Sequence, residues 1–456
     1  MIFTATTQLK LKNILTVMIP IFITQLAVIG MNFFDTVMSG QAGANDLAGV
    51  AIGSNLWMPI FTGLNGILIA LTPILAHHLG AARHQDITQA VKHGLLLSLI
   101  IGLAVMGGGF FFLEDVLAIM HLEPEVHRIA THYLGALALG IIPFFACSTL
   151  RCFVDTLGYT QLTMRIFLLT LPLNVVLNYM MIFGKWGFPR LGGVGAGYAT
   201  ALTYWLVFGI FLFAIQKVAK LHQYFFFGSG RLWNFHWLPL VEQLRIGLPI
   251  GISIFFETSI FGIIALFMAK FGTITIAAHQ AAINFTSLLY MLPLSFSMAL
   301  TIVIGVEVGA KRYREAISYS RIGICADLAV AVFFVLLLLF ARTPVARLYS
   351  TEPAIMTMVV QFLFYAAFFQ LLDGIATPIQ GILRGYKDVK VSFYASLFAY
   401  WGICLPLGYY LDVYCQHGPF SYWQSLILGI FCSASFLFLR LVRIQRKFRD
   451  QEQGAN

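Results

Sequence analysis

The chain has 456 residues, of which 59% are hydrophobic and only 10% charged, and its mean hydropathy is +0.84. A soluble domain carries about 25% charged residues, so a soluble globular protein is excluded. The formal charge of +9 would suit nucleic-acid binding in a soluble chain; here its distribution is better explained by loops beside a membrane, so no nucleic-acid partner is expected.

The first apolar run covers roughly residues 14–37, with no charge from Asn13 to Phe34, and it closes on Asp35. Lys10 and Lys12 precede it, it is too long for a signal-peptide core, and no small-residue cleavage site follows, so it is expected to be retained. A carboxylate at a helix centre in hydrocarbon costs roughly 2.5–3.5 kcal/mol by the mildest scales. Asp35 is therefore a candidate proton- or ion-dependent switch, the alternative being a solvated structural aspartate at the outer helix end. Further runs follow at roughly 48–79, 93–113, 129–153, 163–184, 193–216, 244–270, 276–308, 318–341, 356–383, 391–411 and 421–441. Each is long enough to cross a bilayer as a helix, and each is too continuous for the alternation of a barrel strand. The expected fold class is an all-α polytopic membrane protein with twelve transmembrane helices. None of the six cysteines forms a C-x-x-C pair and only Cys415 falls in an outer loop, so neither a disulfide framework nor a thiolate metal site is expected.

With the N-terminus placed in the cytoplasm, 22 of the 28 Lys and Arg fall on the inner side. Only Arg128, Lys185, Arg190, Lys270, Arg342 and Arg347 lie outside. The bias predicts that both termini are cytoplasmic. A shift of 229 residues superposes Pro20 on Pro249, Gly43 on Gly272, Asn55 on Asn284, Thr72 on Thr301 and Arg83 on Arg312. Later, Gly158-Tyr159 meets Gly385-Tyr386 at a shift of 227. Two six-span halves entering the membrane in the same sense form a parallel repeat, with a central cavity expected between them. The expected division is an N-terminal lobe (1–216), an inter-lobe cytoplasmic loop (217–243) and a C-terminal lobe with a basic tail (244–456). The acids do not follow the repeat: Asp35 falls on Ile264, Glu257 on Val28 and Asp373 on Ala146.

Glu257 and Asp373 both sit near mid-depth of their spans, in the same half. Two acids at one depth can hold a sodium ion through oxygen ligands or share a proton as a coupled pair; the structural alternative is a buried pair bonded to Thr, Ser or Gln. Ser253, Thr258, Gln280 and Asn284 are the neighbouring uncharged donors. Asp327, in an apolar run six residues from Arg321, is open to a functional or a satisfied structural reading. Glu307 is expected to pair with Lys311 at i,i+4. Gly192 to Gly197 looks like a nucleotide-binding glycine run, but no strand precedes it, and small residues at the head of a membrane helix serve close packing. His77, His78, His84 and His93 surround one loop without metal-site spacing, and His279 is either titrating or structural. Trp57, Phe61, Phe285 and Tyr290 are candidates for a cavity wall, where a cation–π contact is worth roughly 0.5–2 kcal/mol. No P-loop occurs, so ATP is not the chain's own energy source.

Several motifs occur together and in order: Asp35-Thr36-Val37-Met38-Ser39-Gly40, Asn174 and Asn178-Tyr179, Gly192 to Gly197, Ala278-His279-Gln280, Asn284-Phe285, and Asp373, Gln380 and Leu383 to Asp388. In these the chain resembles the multidrug and toxic compound extrusion (MATE) transporters, within them the NorM-like bacterial branch, over nearly its whole length. The resemblance implies a two-lobed twelve-helix fold and a secondary active efflux antiporter that exchanges H+ or Na+ for small organic, often cationic, compounds. It implies a cation-coupling role for Glu257 and Asp373, and a polar cluster of Asp35 with Asn174, Asn178 and Thr200. Some sodium-coupled members carry a tyrosine one turn before the span-10 aspartate; this chain has Phe369 there, which removes a hydroxyl ligand. The implied protein is not an enzyme, uses no cofactor, acts as a monomer and resides in the bacterial cytoplasmic membrane. A lipid-linked saccharide flippase of the same superfamily is the alternative, but it would need a basic cavity, whereas the mid-span charges here are acidic. An intramembrane enzyme would need a catalytic pair that no span supplies.

Overall fold

A computed structural model describes residues 5–224 and 237–454. Its helices are α1 (Ala5–Ala42), α2 (Ala44–Ile69), α3 (Leu71–Gly80), α4 (His84–Ile119), α5 (Pro124–Ala138), α6 (Ile141–Thr156), α7 (Thr160–Phe183), α8 (Gly193–Lys217) and the short α9 (Ala219–His222). The second half continues with α10 (Trp237–Met268), α11 (Thr273–Gly309), α12 (Tyr313–Tyr349), α13 (Pro353–Gly385), α14 (Lys390–Ser396), α15 (Leu405–Val413) and α16 (Phe420–Gly454). No β-strand occurs among the described residues. Among the described residues, eleven helical stretches are long and apolar enough to cross a membrane, and the bent pair α5–α6, taken as one span, makes a twelfth. The fold is therefore all-α and polytopic. Of the expected linker 217–243, residues 225–236 lie outside the described residues; α9 and the first turns of α10 occupy much of the rest.

Two of the interrupted spans lie beside a proline that accounts for the interruption. The span expected at 129–153 is α5 and α6, bent by 48° at Leu139-Gly140. Pro143 opposes the carbonyl of Leu139, which a proline ring would crowd in a continuous helix. A Cβ on Gly140 would come within 2.6 Å of Ala201 Cα, so glycine lets α8 pack into the bend. The second is Leu397–Cys404, which takes a π-helical course between α14 and α15. Pro406 lies just beyond and cannot donate to the carbonyl of Gly402, and the wider turn accommodates that loss.

The residues form two compact units, Pro20–Leu248 and Met1–Ile19 with Pro249–Asn456. The division passes through α1 and α10 at the two prolines that the repeat superposes. The backbone repeats as well. Ala82 and Lys311 both take left-handed φ values of 55° and 60°. The Arg83 N–H donates to His78 O at 2.8 Å, and the Arg312 N–H to Glu307 O at 2.9 Å. Farther on, Gly158 (φ 87°) corresponds to Lys387 (φ 58°), with Tyr159 N–H to Val154 O at 3.1 Å and Asp388 N–H to Leu383 O at 2.9 Å. The shift of 229 thus persists to the end of α13. The pairing of Gly158-Tyr159 with Gly385-Tyr386 is a coincidence of residue type, and the counterpart of Asp373 is Phe144 rather than Ala146.

Candidate functional site

Each unit buries carboxylates within its own helix packing. In the unit Pro20–Leu248, Asp35 on α1 is only 7% exposed. Its Oδ1 accepts from Asn178 Nδ2 at 2.5 Å and its Oδ2 from Thr200 Oγ1 at 2.9 Å. Asn178 Nδ2 also donates to Asn174 Oδ1 at 3.1 Å, and Asn174 Nδ2 donates to Thr203 Oγ1 at 3.5 Å. The i,i+4 spacing of Asn174 and Asn178 puts both amides on one face of α7, and α8 supplies Thr200 and Thr203. Both oxygens of Asp35 are engaged, so the solvated reading of this acid gives way to a buried, hydrogen-bonded one. The four members of the expected cluster lie together; Thr203 joins them, unmarked in the sequence because an isolated threonine in an apolar helix carries no signature.

In the other unit, Glu257 on α10 holds its Oε1 against three donors: Ser396 Oγ at 2.7 Å, Gln380 Nε2 at 2.9 Å and Ser253 Oγ at 3.4 Å. Gln380 is oriented by Arg384, whose Nη2 donates to Gln380 Oε1 at 3.4 Å. Asp373, 7% exposed on α13, accepts from Thr377 Oγ1 at 2.9 Å through Oδ1. The two acids are near enough to feel each other's charge, and the Tyr290 side chain lies within the field of both, close to Thr377. Ser253 and Tyr290 are thus beside the acids. Thr258 instead bonds Ile254 O of its own helix at 2.9 Å. Gln280 and Asn284 are exposed on α11 and have no hydrogen bond to either acid; Phe285 is half-buried on the same helix. Sequence reasoning missed Thr377 and Ser396 as neighbours and left Gln380 as a motif residue only. The i,i+4 spacing of Asp373 with Thr377 was an available signal; Ser396 comes from a distant helix and offered none.

As donors for a sodium ion, these groups fit sparsely. Gln380 turns its amide nitrogen, not its oxygen, toward Glu257. Phe369, buried one turn before Asp373 and packed edge-on to Phe261, offers no oxygen. No cluster of three or more His, Cys, Asp or Glu suited to a metal occurs among the described residues.

Other sequence candidates resolve individually. Asp327 on α12 is 0% exposed and neither of its oxygens has a hydrogen-bond partner among the described residues, so the satisfied structural reading does not hold. It lies within the field of Asp373. Its repeat counterpart, Ser98, is bonded to Thr149 Oγ1 at 2.7 Å and Phe145 O at 3.1 Å. Glu307 pairs with Arg312 at 2.6 Å rather than with Lys311, because the left-handed turn at Lys311 folds the next residue back. His279 is buried, with its Nδ1 accepting from Trp423 Nε1 at 3.2 Å, a structural role. The glycine run packs as expected: the Gly193 N–H donates to Asp46 Oδ1 at 2.6 Å, and a Cβ on Gly195 would come within 2.6 Å of Met181 O. Trp57 and Phe61 pack together with ring centroids 5.0 Å apart, and Phe61 lies against Phe144, itself 4.8 Å from Tyr204.

A polytopic helical chain with a backbone repeat and buried, separately held carboxylates in each half defines a membrane transporter by class. The MatE family profile matches residues 20–180 and 249–410, one stretch per repeat, each starting at its proline. A protein of Halalkalibacterium halodurans named "Probable multidrug resistance protein NorM" is 52% identical over 445 residues, covering 98% of this chain and 97% of its own. A Bacillus subtilis (strain 168) protein of the same name is 48% identical over 443 residues, covering 97% and 98%. In fold, the Vibrio cholerae MATE transporter VcmN superposes with a TM-score of 0.89 at 18% identity, covering 97% of this chain and 99% of its own. The eukaryotic MATE transporter AtDTX14 superposes with a TM-score of 0.86 at 17% identity, covering 98% and 99%. The chain belongs to the MATE family, whose members are transporters rather than enzymes.

Proposed function

We propose that this protein is a secondary active multidrug exporter of the bacterial cytoplasmic membrane, with both termini cytoplasmic. It exchanges protons for small organic, often cationic, amphiphilic compounds by alternating access, as a monomer. The carrying observation is the pair Glu257 and Asp373, each in an apolar span with one oxygen bonded and no hydrogen bond to the other among the described residues. The free oxygens are the loading site for the coupling ion. The orientation of Gln380 and the presence of Phe369 favour a proton over Na+, since both remove oxygen donors that a sodium shell needs. The Asp35 cluster is the second, linked acidic site: a proton on Oδ1 would set an O–H against the Asn178 amide, break that bond and loosen the seam of α1 with α7. One charge falling through 100 mV supplies roughly 2.3 kcal/mol, more than the roughly 1.4 kcal/mol needed for a tenfold gradient, for a neutral compound. A monovalent cationic compound exchanged one for one draws on the chemical gradient alone.

Dye transport into inside-out vesicles tests this reading, with proton and sodium gradients imposed separately. Uptake driven by an inside-acid gradient without sodium is expected. Uptake that requires a sodium gradient would replace the proton with Na+, and no uptake of any cationic dye would remove the exporter assignment.

A further inference from the structure

The helix α12 extends over 37 residues and α16 over 35, about 50–55 Å each at 1.5 Å per residue. A hydrocarbon core is only about 30 Å thick, so the first turns of α12 and the last turns of α16 reach into the head-group layer. There, within one compact unit, the two helices enclose a groove of about 450 Å³. Its polar rim is Arg321 on α12 with Gln445, Arg446 and Arg449 on α16; its apolar wall includes Ile324 and Phe438 and runs toward the hydrocarbon. None of the three guanidinium groups has an ion pair or hydrogen bond among the described residues. Two acids nearby are occupied elsewhere, Glu315 by Lys10 at 2.7 Å and Asp388 by Arg440 at 2.6 Å; Asp450, exposed beside Arg449, makes no ion pair with the three arginines among the described residues. Deeper in the groove, the half-buried Gln445 side chain lies against the Tyr386 hydroxyl, which Ser320 also approaches; among the described residues neither the Gln445 Nε2 nor that hydroxyl makes a hydrogen bond of good geometry.

We infer that this groove is a binding site for an anionic phospholipid, with the phosphate held by Arg321, Arg446 and Arg449 and one acyl chain along Ile324 and Phe438. Three unpaired cations at head-group depth match a phosphodiester and not a zwitterion's ammonium, and arginine forks phosphate oxygens bidentately. The apolar wall selects a lipid over a free anion. The Gln445 amide nitrogen, buried at the inner end of the groove, is a further donor for the glycerol or phosphate oxygens. Basic pockets between membrane helices on the side with the positive bias recognise such head groups on these grounds.

The test is lipid binding to the purified full chain in detergent, read by native mass spectrometry and by the thermal unfolding midpoint. Phosphatidylglycerol, phosphatidylcholine and inorganic phosphate are the three probes. Phosphatidylglycerol is expected to bind and raise the midpoint, with the other two leaving it unchanged. Arg321→Gln, at an exposed position, should weaken phosphatidylglycerol binding about fivefold, and the triple change with Arg446→Gln and Arg449→Gln about a hundredfold. Val442→Trp, which fills the groove and keeps every charge, should abolish binding, while Arg443→Gln, on the same helix but off the groove, should leave it intact. Retention of the phosphatidylglycerol preference in both the triple variant and Val442→Trp would overturn the proposal. So would an equal loss in Arg443→Gln, or an equal midpoint shift with inorganic phosphate.

Discussion

The two halves of the chain share a backbone and divide their chemistry. Near the C-terminal end of α6, Arg151 pairs with Asp155 at 3.4 Å and donates to Gln25 at 2.9 Å, so its charge is neutralised locally. At the equivalent places on α13 stand Gln380 and Arg384, and the arginine's influence passes through the glutamine to Glu257. The acids differ likewise. Asp35 has both oxygens bonded to side-chain donors, a closed arrangement that a change of protonation would undo. Among the described residues, no hydrogen bond reaches the second oxygen of Glu257 or of Asp373, an arrangement that leaves one oxygen of each open. On the proposed reading, two copies of one scaffold carry a hydrogen-bonded lock in one half and an ion-accepting pair in the other.

The largest expected effect comes from emptying the open pair. Asp373→Asn or Glu257→Gln should abolish dye efflux, at least about a hundredfold, while membrane insertion persists; immunoblots of membrane fractions and efflux from a pump-deficient host measure both. Full activity in either variant would erase the distinction between the halves. Next comes the lock: Asp35→Asn keeps the side chain's shape but removes the charge and one acceptor oxygen, and efflux should fall tenfold or more. Gln380→Leu cuts the path from Arg384 to Glu257; loss of a hydrogen bond to a charged group costs roughly 1.5–3 kcal/mol, seen as a similar drop in proton-driven uptake with unchanged drug binding. The smallest change is Phe369→Tyr, which adds back one oxygen; a sodium response absent from the parent should emerge, and its absence would mean the hydroxyl cannot reach the pair.

The acids themselves were legible in the sequence because a carboxylate in an apolar run is costly enough to stand out. Asn174, Asn178 and Thr200 were legible only through family likeness, since nothing in their spacing points to Asp35. Thr203, Thr377 and Ser396 were not legible: hydroxyls are common in membrane helices, where they bond their own backbone, and only tertiary packing tells which of them turns to an acid. The repeat was readable while its markers were glycine, proline and asparagine. It was misaligned at the end of α13, where Lys387 takes the left-handed turn that Gly158 takes in the first half. Gly385 is there for another reason: a Cβ on it would lie 3.1 Å from Ile304. Residue identity tracked packing at one place and backbone conformation at the other.

The most direct test of the division between the halves is proton release on substrate addition to the purified protein, followed with a pH indicator in weak buffer. The parent should release protons as a cationic dye binds. Asp373→Asn should bind the dye and release fewer protons, and Asp35→Asn should show a loss of its own that adds to the first in the double variant. Unchanged release from Asp373→Asn, with dye binding intact, would contradict the assignment of the open pair as the ion-accepting site.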